Sequence, residues 1–245
     1  MVRAPPDGYT LIAASSTLLA LNVTVRKSMP YDPRKDILPL AITARTPFTL
    51  VVDPDLPVHS VDDLVKLARA KPLSFAAPGP ATFHRLTAEL FKTMFGVEAI
   101  YVPYKGTVPA LQDIMGGHVA FMFSVIPPAL ALIKGGKLRA LGGTTAQRVP
   151  ALSEVQPLAE VGMPGFDSTS WHSIATTNGV PRDIAEKIAA AIREAMADPA
   201  VSDILIRDGA IPVISPPLDE FRRFVDGEIE RWAKVIERAG LAGSE

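Results

Sequence analysis

Residues 73–91, LSFAAPGPATFHRLTAELF, decide the fold of this chain. An apolar run over 73–77 stops at a Pro-Gly-Pro turn. Thr82 follows, and then Leu86, Leu90, Phe91, Met94 and Phe95 recur at helical spacing. The spacing predicts a strand, a tight loop and a helix over 84–95. The same alternation continues downstream. Residues 99–102 (AIYV) read as a strand, and 108–115 (VPALQDIM) as a helix stopped by Gly116 and Gly117. Residues 119–123 (VAFMF) read as a strand, and 127–134 (PPALALIK) as a helix stopped by Gly135 and Gly136. A strand over 138–143 (LRALGG) closes the run. Short strands that are apolar throughout, joined by helical crossovers, predict a parallel, doubly wound α/β sheet covered on both faces.

Outward from this core the pattern is looser. PPDG is a turn signal at 5–8, and YTLIAA reads as a short buried strand ending near Ser15. Residues 15–25, SSTLLALNVTV, are ambiguous. Residues 48–52, FTLVV, form a strong strand pattern. Ser60 and Asp63 mark the start of a helix. A β-rich run covers 168–177, STSWHSIATT. A long helix from Pro181 to Asp198, a short one from Pro199 to Gly209 and a strand over 211–215 follow. A final amphipathic helix carries Leu218, Phe221, Phe224, Val225, Trp232 and Val235 on one face.

The composition narrows the function. The 245 residues are 48% hydrophobic and 21% charged, which is ordinary for a core-forming protein of one large or two small domains. A net charge of −1 without a basic stripe argues against nucleic acid as a partner. No apolar run approaches the ~18 residues of a membrane span. The absence of cysteine excludes disulfides, thiolate nucleophiles and Cys-based metal sites.

In an open parallel sheet, ligands sit at the carboxyl ends of the strands. That rule selects Pro78-Gly79, Pro103 to Gly106, Ser124 and Thr144-Thr145, with Thr82 at the start of the first crossover helix. These are hydroxyls and backbone amides with one cation, Lys105, and no carboxylate. They suit a small anion held at a helix N-terminus. The loop lacks the glycines of a dinucleotide or P-loop fingerprint, so no nucleotide cofactor is expected, and no other cofactor. His59, His84, His118 and His172 are scattered without metal-ligand spacing, and no nucleophile elbow or HExxH motif is present. The chain therefore reads as a non-enzyme. Structural roles stand beside each candidate: Thr82 as a helix cap alone, Trp171 as core, Tyr104 as packing, Lys105 as a solvated charge.

Five segments carry a resemblance. APPDGYTLI (4–12), MPYDPRKDILPL (29–40), VPYKGTVPALQDIMGGHVAFMF (102–123), IKGGKLRALGGTT (133–145) and WHSIATTNGVP (171–181) resemble the Bug proteins, the TctC-like solute receptors of tripartite tricarboxylate transporters. The resemblance implies a type II periplasmic-binding-protein fold, with two α/β lobes closing over a carboxylate at a hinge. The expected lobes are 1–47 with 173–245, and 48–172, crossing at the strands near 48–52 and 168–177. It also implies a periplasmic location, a small carboxylate ligand and membrane subunits of a transporter as partners. Carried over by position, the ligand contacts are Ser15, Ser16, Thr17 and Asn22 in one loop. Pro78, Gly79, Ala81 and Thr82 form a second, with Ser124 at a strand end and Trp171 as a wall. Two readings compete: a soluble α/β enzyme using His84 or His172 as base, which needs a carboxylate or hydroxyl beside that ring, and a sensory receptor on the same fold.

The chain departs from the family pattern at three places. The family loop runs S-x-G-x-G-[ST]-x-x-H-L, whereas here Ala77, Ala81 and Arg85 occupy the first serine, a glycine and the histidine, and His84 is one place off. Position 124 is usually Asp in the family and is Ser here, which is expected to disfavour amino-acid ligands. Family members also begin with a signal peptide and a further β-α-β unit, about 30 residues or more, ahead of the segment that matches PPDGYT. A chain lacking that unit is expected to bind more weakly and to expose a strand edge that invites self-association.

Overall fold

The computed structural model describes residues 2–244. In chain order the elements begin with β1 (Leu11–Ser15), a π-helical turn (Thr17–Leu21), α1 (Asn22–Val25), α2 (Pro33–Asp36) and β2 (Ile37–Val52). Next come α3 (Val61–Ala70), β3 (Leu73–Ala77), α4 (Phe83–Phe95), β4 (Ala99–Pro103), α5 (Thr107–Met115) and β5 (Phe121–Val125). Then follow α6 (Ile126–Lys134), β6 (Arg139–Gly143), a 3-10 turn (Pro150–Leu152) and β7 (Thr169–Thr177). The chain ends with α7 (Arg182–Ala197), α8 (Pro199–Arg207), β8 (Ile211–Pro212) and α9 (Leu218–Arg238). No helix among the described residues is long and apolar enough to cross a membrane.

These elements form two compact units, 1–45 with 170–245, and 46–169. In the first unit β1 runs antiparallel to β7, with Ser15 opposite His172, and Ala44-Arg45 of β2 pair antiparallel with β8. One core joins Ala14, Leu19, Trp171 and Ala175 to Phe221, Val225 and Ile229 of α9. Another lays α7 over Leu38 and Leu40.

The second unit holds the sheet read from 73–143. β3 is parallel to β4 along its whole length and to β5 through Phe75 and Phe121. The sheet is mixed, not purely parallel. The second half of β2, Phe48 to Val52, lies between β5 and β6 and is antiparallel to both. Helices α5 and α6 cover one face through Leu111, Ile114 and Ala129. Phe75, Phe91, Phe121 and Phe123 stack through the interior at ring separations of 5.6–6.4 Å. Burial of such rings is the main stabilising term, at about 25 cal/mol per Å² of apolar surface.

β2 is 16 residues long, far beyond the five expected. Pro39 and Pro47 read as strand breaks, because proline donates nothing to a ladder. The strand tolerates Pro47 because it changes partners there. Its pairs with β8 end at Arg45, its pairs with β5 begin at Phe48, and Pro47 falls between the two ladders.

Candidate functional site

The second unit brings its predicted loops to one end. β3 and β4 are parallel, β5 follows β3, and the antiparallel β2 starts there, with Phe48 opposite Val125 and Thr49 opposite Ser124 and Gly143. The carboxyl ends of β3, β4, β5 and β6 therefore meet the N-termini of α4, α5 and α6. These three first turns differ. Pro127 and Pro128 remove donors from α6, and Pro109 removes one from α5. The first turn of α4 contains no proline; with Arg85 N–H taken by the Thr82 cap, the Phe83 and His84 N–H groups remain to face an anion.

The loop ahead of α4 is shaped by its own bonds. Gly79 N–H donates to Ala77 O at 3.0 Å, and Tyr104 N–H donates to the same carbonyl at 3.1 Å. Gly79 sits at φ +109°, a conformation that side-chain-bearing residues rarely adopt. Thr82 is the N-cap: its Oγ1 donates to Gly79 O at 3.0 Å and accepts from Arg85 N–H at 3.5 Å. The cap bond is long, so the hydroxyl is held mainly by the loop carbonyl. Pro78, Gly79, Ala81 and Thr82 are all partly accessible.

Other predicted residues at this end fall into place differently. Ser124 is fully buried and its hydroxyl donates to Val125 O at 2.9 Å. Lys105 is exposed. Tyr104 Oη donates to Asp113 Oδ2 at 2.6 Å, tying the loop after β4 to α5. Desolvation and that carboxylate push the phenol up to about 12. Arg85, in the family histidine's place, lies 4.1 Å above the Tyr101 ring, with Nε 3.6 Å from Glu89 Oε1. Its side chain turns to the β4 side of α4, where cation–π and ion-pair contacts hold it.

In the first unit, the segment after β1 is a π-helical turn closed by Asn22 N–H donating to Thr17 O. Turns of this rare type recur at functional sites. Ser15 Oγ accepts from Leu18 N–H at 3.4 Å, and Ser15, Thr17 and Asn22 are partly accessible. Ser16 is fully buried and its Oγ accepts from Trp171 N–H at 3.2 Å. Trp171, expected as a ligand wall, lies in the core of the first unit. It is 1% exposed, packs edge-on against Phe221 and Phe224, and its indole donates to Glu228 Oε2 at 3.0 Å. Trp232 donates to the same oxygen at 3.2 Å. Sequence reasoning missed Glu228, because a carboxylate on the amphipathic α9 reads as solvated surface.

Among the described residues neither His84 nor His172 hydrogen-bonds a carboxylate or hydroxyl through its ring. Burial lowers the imidazole of His84 to about 4 and shifts that of His172 in the same direction. His172 is an exposed residue. No group of three or more His, Cys, Asp or Glu residues among those described could hold a metal.

With this geometry in place, the comparisons with known proteins are specific. Protein BugT of Bordetella pertussis is 34% identical over 241 residues, spanning 97% of this chain and 74% of that protein. The solved structure of Rpa4515 of R. palustris with adipate has a TM-score of 0.85 at 36% identity, covering 98% of this chain and 81% of that one. MatC of Rhodopseudomonas palustris with bound malate has a TM-score of 0.78 at 27% identity, covering 96% and 81%. Residues 1–241 match the sequence model of the tripartite tricarboxylate transporter family receptor, TctC, and the chain belongs to that family.

Proposed function

We propose that this protein is a periplasmic receptor that binds a small dicarboxylate and delivers it to a tripartite tricarboxylate-type transporter, without catalysing a reaction. The observation that carries the proposal is the first turn of α4. It alone among the three helices at its sheet end has no proline in its first turn, and it follows a loop braced by Gly79 and Thr82. One ligand carboxylate sits on the amides of that turn beside Pro78, Gly79, Ala81 and Thr82. Fixed dipoles and ordered water can hold such an ion without a guanidinium. In the first unit, Ser15, Thr17 and Asn22 of the π-helical turn are proposed ligand contacts, and Ser16 braces the turn through Trp171 N–H. Ser124 shapes the end of β5. The two compact units serve as the receptor's lobes.

The family supports the receptor role, and the adipate and malate held by two structural relatives support a dicarboxylate. Neither His84 nor His172 bonds a carboxylate or hydroxyl through its ring among the described residues, which favours a binding protein over an enzyme built on either base. A second copy of the chain is a further proposed partner. β1 pairs with β7, and its sequence LIAAS carries neither charge nor proline to guard the outer edge. A thermal-shift panel of mono-, di- and tricarboxylates tests the reading. Dicarboxylates are expected to raise the unfolding temperature by several degrees at millimolar concentration; a flat response across the panel overturns it.

A further inference from the structure

The turn after β1 owes its π register to the side chains around it. In an α-helix the N–H of Asn22 would donate to Leu18 O, four residues back. Here it donates to Thr17 O, five residues back. The Leu18 carbonyl thereby loses its α-helical donor, and Tyr31 Oη supplies another at 3.0 Å. Leu18 N–H, one of the orphan donors at a helix start, goes to Ser15 Oγ at 3.4 Å. Both backbone groups of Leu18 are therefore bound by side chains from outside the turn. Tyr31 reaches it from the segment ahead of α2. Its side chain is partly buried against the core that Ala14, Leu19, Trp171 and Phe221 share.

The register decides which side chains share a face. In an α-helix, residues five apart stand about 140° apart around the axis, so Thr17 and Asn22 would point away from each other. The bond between their own backbones closes one turn from Thr17 to Asn22 and sets the two on the same side. Both are partly accessible, and among the described residues neither the Thr17 hydroxyl nor the Asn22 carboxamide has a hydrogen-bond partner. A hydroxyl and a carboxamide are neutral donors that suit a carboxylate. We propose that Tyr31 is a positioning residue of the carboxylate site: its hydroxyl holds the π register, and that register presents Thr17 and Asn22 together to a carboxylate of the ligand. The inference rests on the receptor reading above, in which these two residues touch the ligand. Tyr31 acts through the Leu18 carbonyl alone. Without its hydroxyl, Leu18 O takes back the Asn22 N–H, the turn relaxes to the α register and the pair separates.

The test compares wild type, Tyr31→Phe, Asn22→Ala and the double variant by calorimetric titration with adipate. Tyr31→Phe keeps the ring and removes only the hydroxyl. Each single variant is expected to weaken adipate about tenfold, and the double variant hardly more than Tyr31→Phe alone, because Asn22 has already turned away. Independent contributions would instead multiply to about a hundredfold. NMR couplings across hydrogen bonds supply a readout that a mere loss of packing would not move. Asn22 N–H couples to the Thr17 carbonyl in wild type and is expected to couple to the Leu18 carbonyl in Tyr31→Phe. Three results overturn the inference and leave the receptor reading intact: wild-type affinity in either single variant, the full multiplied loss in the double variant, or an Asn22–Thr17 coupling that survives removal of the hydroxyl. A wild-type protein that binds neither adipate nor any other dicarboxylate overturns the receptor reading itself, and the positioning role with it.

Discussion

Replacing His84 by phenylalanine should change how stability depends on pH. In the folded protein burial lowers this imidazole from its ordinary 6.5 to about 4. At pH 7 the ring is neutral in both the folded and unfolded chain, so its titration contributes nothing. As pH falls below 6.5 the unfolded chain takes up a proton that the folded protein refuses, so stability is lost through the window between 6.5 and 4. Linkage places that loss at about 2 kcal/mol between pH 7 and pH 5, levelling at about 3 kcal/mol below pH 4. His84→Phe abolishes it. The assay is urea unfolding of the unliganded wild type and variant at pH 7, 6 and 5, followed by circular dichroism. His172, lowered in the same direction, is present in both proteins and cancels in the difference. So do Asp32, Asp63 and Asp219, whose carboxyls are held below their ordinary 3.8 by their partners and matter only in stronger acid. Wild type is expected to lose about 2 kcal/mol more than the variant between pH 7 and 5. Parallel curves, within about 0.5 kcal/mol, would refute the claim that His84 is desolvated and unpaired in the folded state.

Other perturbations probe other parts of the molecule. Glu228→Leu removes the one carboxylate oxygen that accepts from the indole N–H groups of both Trp171 and Trp232. It should cost about 2–4 kcal/mol in urea unfolding; a loss under about 1 kcal/mol would mean the indoles are satisfied otherwise. Gly79→Ala forces a side chain into φ +109°. It should cost about 1–3 kcal/mol of stability or distort the loop, and adipate affinity should fall with it. Tyr104→Phe should remove one high-pH phenol from the ultraviolet titration, the one that otherwise ionises at about pH 12. Leu11→Lys, at an exposed position of β1, should abolish any concentration-dependent dimer seen by sedimentation. A dimer that survives it uses another surface.

The sequence reveals most where one period dominates. Residues 73–143 alternate strand and helix so regularly that each strand, crossover and sheet end is legible from apolar spacing and glycine stops. The antiparallel insertion of β2 between β5 and β6 is not, because strand order is set by long-range pairing that no local pattern records. Residues 15–25 resist reading because a π-helical turn followed by one turn of α-helix has neither a 3.6 nor a 2.0 period. At the site, the loop 78–82 is visible as turn chemistry before a helix. Trp171 is misleading for a physical reason: a tryptophan needs a polar partner when buried, and that partner, Glu228, is 57 residues away. His84 misleads in the opposite way. Its spacing makes it look incidental, and only its enclosed, unpaired ring nitrogens mark it out.

The central claim is that the amides at the start of α4 hold a dicarboxylate. Calorimetric titration of the wild-type protein with adipate, with aspartate as the comparator, tests it most directly. The expected result is saturable binding of one adipate per chain, with aspartate at least tenfold weaker because position 124 is a serine and carries no carboxylate to pair an ammonium. Tight aspartate binding, or no heat from adipate, malate or any other dicarboxylate, would contradict it.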